Sequence, residues 1–432
     1  MKKLEFLLPA GNLEKLKYAF AYWADAVYAG VPMFSLRARE NQFSWETLEE
    51  WVKYAHERWK KIYFTANIYA HNFKIKPFME AFKKMEELKP DAYIMSDPGL
   101  IYLVRKQFPT AEVHLSVQAN NTNWAQVKFW QEIGIKRVIL SREISLREIT
   151  EIHRECPEME LEFFVHGAIC MAYSGRCLLS NYMAWRDPNQ WTCAHSCRWE
   201  YKVYKNEVSN EDLYDSTGRP TNYLPIEWEY YLEEKERKGD FLPIDEDEFG
   251  TYIMNSRDLC LIDYIKELKE AWIISFKVEW RSKTINYLAG VWRAYRKAID
   301  AVENWEEYDA KELSKELFAI SNRWYIPGFI TGDLKENSIY YDKNSELKEE
   351  DFVWIIRDYD EAKKMALIQV KNRIDLWQTL RLVSPILDYE FKLEKIIDPA
   401  WELKTEAHGW SFDVRINLDQ NPGEYAILRR RI

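Results

Sequence analysis

The sequence predicts an α/β protein: a (β/α)8 barrel of the TIM type, interrupted by an insertion that carries four cysteines and followed by a small all-β domain. Three observations predict it. Short apolar runs alternate with amphipathic helical stretches through roughly the first 300 residues, eight runs in all. The runs are continuously apolar, as strands buried on both faces of a parallel sheet are. Toward the C-terminus the patterning changes to period two with turn residues between short segments, which reads as a β-barrel or sandwich.

In order, the runs are LEFLLPAG (4–11), DAVYAG (25–30), KIYFTANI (61–68), DAYIMSD (91–97), EVHLSVQAN (112–120), RVILSRE (137–143), LEFFVHG (161–167) and ISFKVEWR (274–281). Helical patterns lie between them, among others at Asn12 to Tyr22, Trp45 to Arg58, Lys76 to Leu88 and Leu146 to Glu155. A doubly wound open sheet is the alternative arrangement. No GxGxxG or GxxxxGK[ST] follows a strand, which argues against a dinucleotide fold or a P-loop. Domains are placed at 1–340 for the barrel and 345–432 for the β-domain. The insertion occupies about 171–273. Within it RWEYKVYK and GTYIMNS are expected to pair with each other, the acidic piece Asn206 to Glu248 to form a surface excursion, and Asp258 to Lys269 to form a helix.

The chain has 432 residues and a formal net charge of −10, which argues against a generally basic surface that coats nucleic acid but not against a local basic site in a cleft. RRR at 429–431 reads as a solvated tail. No apolar run reaches the ~18 residues of a membrane span. The opening MKKLEFLLPAGNLEK carries too short an apolar run for a secretory leader, so the expectation is a cytoplasmic protein with reduced thiols.

Four of the six cysteines, Cys170, Cys177, Cys193 and Cys197, have the spacing C-x6-C-x15-C-x3-C. Reduced thiols grouped in this way point to a soft metal site. Structural zinc favours short knuckles at both ends, and only the second pair is one. The wide first spacing favours an iron–sulfur cluster, with zinc as the alternative. Cys170 follows the seventh strand, so the group belongs at the C-terminal mouth of the barrel, where such folds build their sites. Cys156 and Cys260 stand alone and read as ordinary core or surface cysteines.

The other strand ends bring polar groups to the same mouth: Asn67, Ser96, Asp97, Ser116, Gln118, Asn120, Lys277 and the five main candidates. Arg142 and Arg281 are the types that clamp a carboxylate or phosphate. Glu143, Glu279 and His166 are the acid–base candidates. His195, between the last two cysteines, is expected to support rather than ligate. His71 is a weaker mouth candidate, and His114, inside a strand, reads as a satisfied core histidine.

The stretch EFFVHGAICMAYSGRCLLSNY resembles the signature of the collagenase-like peptidase family, which includes tRNA, rRNA and ubiquinone hydroxylation proteins. IMSDPGLI, HLSVQAN, RVILSRE, RDPNQWTCAHSCRWEY and YRKAID resemble further blocks of its tRNA-hydroxylating branch, in order, across roughly residues 4 to 330. The resemblance implies oxygen-independent hydroxylation of the tRNA wobble uridine to 5-hydroxyuridine, with prephenate as a required metabolite. It also implies a [4Fe–4S] cluster on Cys170, Cys177, Cys193 and Cys197. The competing readings are a collagenase-type peptidase and a non-catalytic RNA-binding or cluster-scaffolding subunit. No nucleophile elbow and no HExxH supports proteolysis. Oligomeric state is not set by the sequence.

One feature departs from that family. Glycine is scarce, 14 residues where average usage would give about 30, and tryptophan is abundant at 19. Trp23, Trp191, Trp280 and Trp324 stand where the related sequences have glycine, and Trp59 and Trp272 join them. Trp124, Trp130 and Trp199 match tryptophans of the family. The expectation is that the first six are glycines encoded by UGA, which some bacteria read as glycine.

Overall fold

The computed structural model describes residues 3–36, 44–170, 172–189, 193–194, 196–198, 204–205, 224–225, 230–233, 241–246, 251–252, 257–279, 284–320, 324–332, 350–409 and 413–431. Seven parallel strands follow one another in sheet order: β1 (Glu5–Ala10), β2 (Ala26–Gly30), β3 (Lys61–Ala66), β4 (Ala92–Met95), β5 (Val113–Leu115), β6 (Arg137–Ile139) and β7 (Glu160–Ala168). An eighth, Ile273–Val278, pairs in parallel with β1 through Glu5↔Ser275 and with β7 through Phe276↔Phe163. Pairing on both sides closes the sheet into a barrel, and the open doubly wound alternative falls away. The helices start where the sequence supplies caps. Ser44, Asp97, Asn123, Ser145 and Thr284 each accept a backbone N–H of the first turn.

The interior of the barrel carries a charged layer. Glu5 on β1, Arg137 on β6, Glu162 on β7 and Lys277 on the closing strand are all buried. Arg137 donates to both Glu5 and Glu162, Lys277 Nζ donates to Glu162 Oε1 at 2.6 Å, and Tyr63 Oη and Ser275 Oγ donate to Glu5 at 2.6 and 2.8 Å. Burial alone would raise the Glu5 carboxyl; the adjacent Arg137 guanidinium and the hydrogen bonds outweigh it and hold the pKa down at about 2. A carboxylate depressed from 4.5 in this way contributes stability that is fully present above pH 4.5 and is lost as pH falls toward 2. Acid unfolding followed by circular dichroism is therefore expected to have its midpoint inside that window, and the Glu5→Gln variant is expected to show a shallower acid limb.

The insertion corrects two expectations. RWEYKVYK and GTYIMNS do not pair with each other among the described residues: Tyr204–Lys205 pairs with Leu224–Pro225, and Thr251–Tyr252 pairs with the end of Phe241–Glu246. Within the acidic piece Tyr230–Glu233 and Phe241–Glu246 form an antiparallel hairpin. Asp258 to Lys269 is not one helix. Asp258–Cys260 adds antiparallel to the end of β7, which runs longer than its neighbours and offers a free edge; a short helix then spans Ile265–Glu270.

The C-terminal unit is an eight-stranded antiparallel sheet. Glu350–Asp360 and Ile427–Arg431 pair with each other at its centre. Its own core gathers Val353, Trp354, Leu380, Leu382, Val414, Ile416 and Leu428. Arg429 is not part of a solvated tail. It is fully buried where the sheet meets the long barrel helix Ile285–Glu303, its Nε donating to Asn286 Oδ1 at 2.6 Å and its Nη2 to Asn286 O at 3.1 Å, with Glu350 at 3.3 Å. A Cβ at Gly290 would stand 2.7 Å from Arg429 Nη2, which explains a glycine in the middle of that helix. Counting three arginines in a row as one solvated run ignores that alternate residues of a strand face opposite ways.

Among the described residues, eight tryptophans take positive φ: Trp23, Trp59, Trp185, Trp272, Trp305, Trp324, Trp377 and Trp401. Four of the six positions singled out in the sequence are among them. Trp191 and Trp280 lie outside the described residues.

Candidate active site at the barrel mouth

Above the charged layer a narrow cavity opens at the C-terminal ends of the strands. Its walls include Asn67, Ser116, Gln118, Arg142, Lys277 and Glu279, with Tyr28 and Phe164 as apolar faces. Lys277 lies on the closing strand and Glu279 just past its end, and both line the cavity. Arg142 reaches across from the segment after β6. Its Nη1 is 2.7 Å from Glu279 Oε2, its guanidinium stacks 4.2 Å from the Phe164 ring centroid, and it donates to Ala168 O. Burial lowers the Lys277 ammonium pKa, against the pull of Glu162. The ammonium also sits 4.5 Å from the Tyr28 ring centroid. Arg142 and Lys277 thus line the cavity together with the carboxylate of Glu279, while Glu162 holds Lys277 from the barrel interior. Such a mouth takes a small polar ligand, and its two cations are what a carboxylate needs.

The other candidates are placed differently. His166 does not line the cavity. Strict alternation after Glu162 and Phe164 would aim it inward, but the pairing of β7 with the closing strand shifts register between Lys277 and Val278. The ring is fully buried on the other side, with Nε2 2.6 Å from Tyr287 Oη and Nδ1 3.3 Å from Tyr295 Oη. Glu143 does not line the cavity either. Its Oε1 accepts from Ser174 N at 3.0 Å and Ser174 Oγ at 3.1 Å, and its Oε2 accepts from Ser141 Oγ. Asp97 caps a helix, accepting from Gly99 N and Leu100 N, and also accepts from Ala70 N. Ser96 is buried with its hydroxyl donating to Asn67 O, Asn120 accepts from Ser141 Oγ, and His71 is a helix N-cap. His114 is buried in the barrel, 3.5 Å from Glu112. Arg281 and His195 lie outside the described residues.

Glu143 and Ser174 matter because Ser174 lies between Cys170 and Cys177. At the next residue, a Cβ on Gly175 would stand 2.0 Å from Gln118 O, so this loop touches the barrel rim with no room for a side chain. Tyr69 Oη donates to the same Gln118 carbonyl at 2.6 Å. The second cysteine pair is tied to the first by Asn189 Nδ2 donating to Cys177 O at 3.3 Å and Ala194 N donating to Ser180 Oγ at 2.8 Å. The cysteine segment is therefore folded on itself and fastened to the rim of the cavity. Glu143→Gln is expected to loosen that fastening while the barrel persists. Hydrogen exchange at Ser174 and its neighbours should quicken, and exchange in β1 to β7 should stay unchanged.

None of the four cysteines is in a disulfide. Cys170 is exposed and Cys177, Cys193 and Cys197 are half-buried. Among the described residues no three His, Cys, Asp or Glu side chains are grouped around the position of a single metal ion. In the chemistry of their donors, thiol throughout, these four residues suit an iron–sulfur cluster or a zinc ion. Cys260 is unlike them: burial pushes its thiol up to about 11, and it packs against Tyr295 Oη at 3.4 Å.

The sequence reading did not single out Glu5, Arg137 and Glu162, which hold Lys277 from below. Their signal was present: a charged residue inside an otherwise apolar strand run has to find a partner within the barrel.

A closed (β/α)8 barrel with a polar mouth and a thiol-bearing loop fastened to its rim belongs to the class of barrel proteins that place their chemistry at the strand C-termini. Within that class the chain belongs to peptidase family U32, whose model matches residues 11–340; the U32 C-terminal domain matches residues 348–429. It is similar to tRNA hydroxylation protein P of Escherichia coli, 42% identical over 443 residues, covering 100% of this chain and 97% of that one. It is also similar to tRNA hydroxylation protein P of Haemophilus influenzae, 40% identical with 100% and 96% covered. The similarity to tRNA hydroxylation protein P1 of Bacillus subtilis is 36% identity, with 92% and 87% covered.

Proposed function

We propose that this chain is a cytoplasmic tRNA-modifying enzyme that hydroxylates the wobble uridine to 5-hydroxyuridine without molecular oxygen. Its co-substrate is prephenate, and a [4Fe–4S] cluster is held by Cys170, Cys177, Cys193 and Cys197. The observation that carries the reading is the fastening of a four-thiol segment to the rim of a cavity lined by Arg142 and Lys277. The full-length similarity to proteins named for tRNA hydroxylation supports the substrate.

Prephenate is a dicarboxylate, and the mouth offers two cations in a partly dehydrated setting where charge-assisted hydrogen bonds are strong. Arg142 and Lys277 bind and orient it. Glu162 holds Lys277 in place from the barrel interior, and Glu279, the carboxylate that lines the cavity beside Arg142, is the group placed to take or give a proton there. When bound, the cluster supplies one-electron redox chemistry. The family's name carries the competing reading of a peptidase. The chain has no G-x-S-x-G elbow and no H-E-x-x-H for that chemistry.

The test is nucleoside analysis of tRNA from a strain lacking the gene. 5-Hydroxyuridine is expected to vanish, to return with the intact gene, and to stay absent with Cys193→Ala. Undiminished 5-hydroxyuridine in the deletion strain would overturn the proposal. Restoration by Cys193→Ala would remove the cluster from it.

A further inference from the structure

Among the described residues, 13 that are not glycine adopt positive φ, and 8 of these are tryptophan, a residue type that makes up 19 of the 432 positions. Asparagine visits this region through its short polar side chain; a bulky aromatic residue has no such reason to be there. The remaining described tryptophans, Trp45, Trp51, Trp124, Trp130, Trp292 and Trp354, lie in helices or a strand and are not among them. The chain thus holds two populations of tryptophan, separated by backbone conformation.

The hydrogen bonding around the first population shows what the backbone is doing there. After the helix Leu13–Ala21, Trp23 N donates to Phe20 O and Ala24 N to Ala19 O. After Trp45–His56, Trp59 N donates to His56 O and Lys60 N to Ala55 O. After Ile285–Glu303, Trp305 N donates to Val302 O and Glu306 N to Ala301 O. Each is the paired 5→2 and 6→1 helix termination that needs a left-handed residue just past the helix, a position dominated by glycine. The chain contains the same motif with glycine in it. After Trp124–Glu132, Gly134 at φ +89° donates to Gln131 O, and Ile135 N donates to Trp130 O. Trp272 follows a helix in a related way, its N–H donating to Lys269 O.

Side-chain burial runs largely the same way: all eight indoles are exposed, Trp59 at 96% and Trp185 at 92%, whereas Trp51, Trp292 and Trp354 are fully buried, and in the second group only Trp124, at 46%, is exposed. A large apolar ring that fills no core position, at a backbone conformation it disfavours, repeated eight times in a glycine-poor chain, has one common cause.

We propose that positions 23, 59, 185, 272, 305, 324, 377 and 401 carry glycine in the protein as its own cell makes it, each encoded by UGA read as glycine. Position 185 lies in the cysteine segment, so the loop that bears the four thiols is itself affected: it turns there on a glycine rather than presenting an indole to solvent.

Reading the gene decides it first. UGA is expected at these eight codons and UGG at 45, 51, 124, 130, 292 and 354; UGG at the eight would overturn the proposal. Peptide mass spectrometry of the protein from its own cells is expected to show glycine at the eight positions, and tryptophan there would overturn it even if the codons are UGA. Two genes expressed in a host that reads UGG as tryptophan give a third measurement. The form with W23G, W59G, W185G, W272G, W305G, W324G, W377G and W401G is expected to be more soluble and to melt at higher temperature than the tryptophan form. A lower melting temperature for the glycine form would count against the proposal.

Discussion

Replacing Arg137 by methionine is expected to destabilise the barrel by about 3–5 kcal/mol, the cost of leaving buried charges without their partner. The argument rests on what remains. Glu5 keeps only the hydroxyl donors of Tyr63 and Ser275, and Glu162 keeps Lys277 and Ser275. Both carboxylates are buried, and the pKa of Glu5 is about 2 because the Arg137 guanidinium and the hydrogen bonds together outweigh the effect of burial. With that cation gone, burial dominates and Glu5 must take up a proton or leave the interior. Against a total margin of roughly 5–15 kcal/mol the loss is a large share. Urea unfolding measures it, with the shift in midpoint read at constant slope. The double variant Arg137→Met with Glu5→Gln is expected to recover part of the loss, since the stranded charge is then removed as well. An Arg137→Met protein as stable as the parent would mean that the layer is solvated and not the sealed network described above.

How much of this was legible in the sequence follows from what kind of information each feature needs. The barrel was legible because eight continuous apolar runs separated by helical patterns admit few other closures. The period-two segments of the C-terminal sheet were legible in the same way, except that 429–431, read as a solvated tail, belongs to the central strand 427–431. Arg429 was misread for lack of tertiary information: whether a strand end is free or covered depends on the helix Ile285–Glu303 lying against it. His166 was misread because one register shift reverses which face a side chain takes, and no local pattern announces the shift. Glu143 was read as an acid–base candidate from its place after a strand, but its carboxylate is used up by a loop that arrives from thirty-odd residues later. Arg142, Lys277 and Glu279 do lie at the mouth where strand-end position put them, but the same rule also picked Glu143 and His166, which do not line the cavity. The tryptophans were legible as an anomaly of composition; only the backbone shows that they are an anomaly of conformation as well.

Glu279→Gln is expected to tighten binding of prephenate about tenfold, and Arg142→Met to weaken it about 10–100-fold, the worth of one charge-assisted hydrogen bond at ~1.5–3 kcal/mol. In the free chain Arg142 already holds a carboxylate, since Glu279 Oε2 lies 2.7 Å from its Nη1. An incoming dicarboxylate has to displace that internal anion and is repelled by it. The glutamine variant keeps the shape and removes the charge, so the two cations at the mouth face Glu162 alone. Isothermal titration with prephenate reads both effects directly, without dependence on the redox state of the protein. Modification assays then separate two roles for Glu279. Tighter binding with an unchanged maximal rate makes it a competitor that keeps the site shut to weaker anions. Tighter binding with a rate lowered by the 10²–10⁴-fold typical of a lost general acid or base makes it the proton-transfer group as well. Unchanged affinity in both variants would place the carboxylate subsite elsewhere on the chain, because Arg142 and Glu279 both line this cavity.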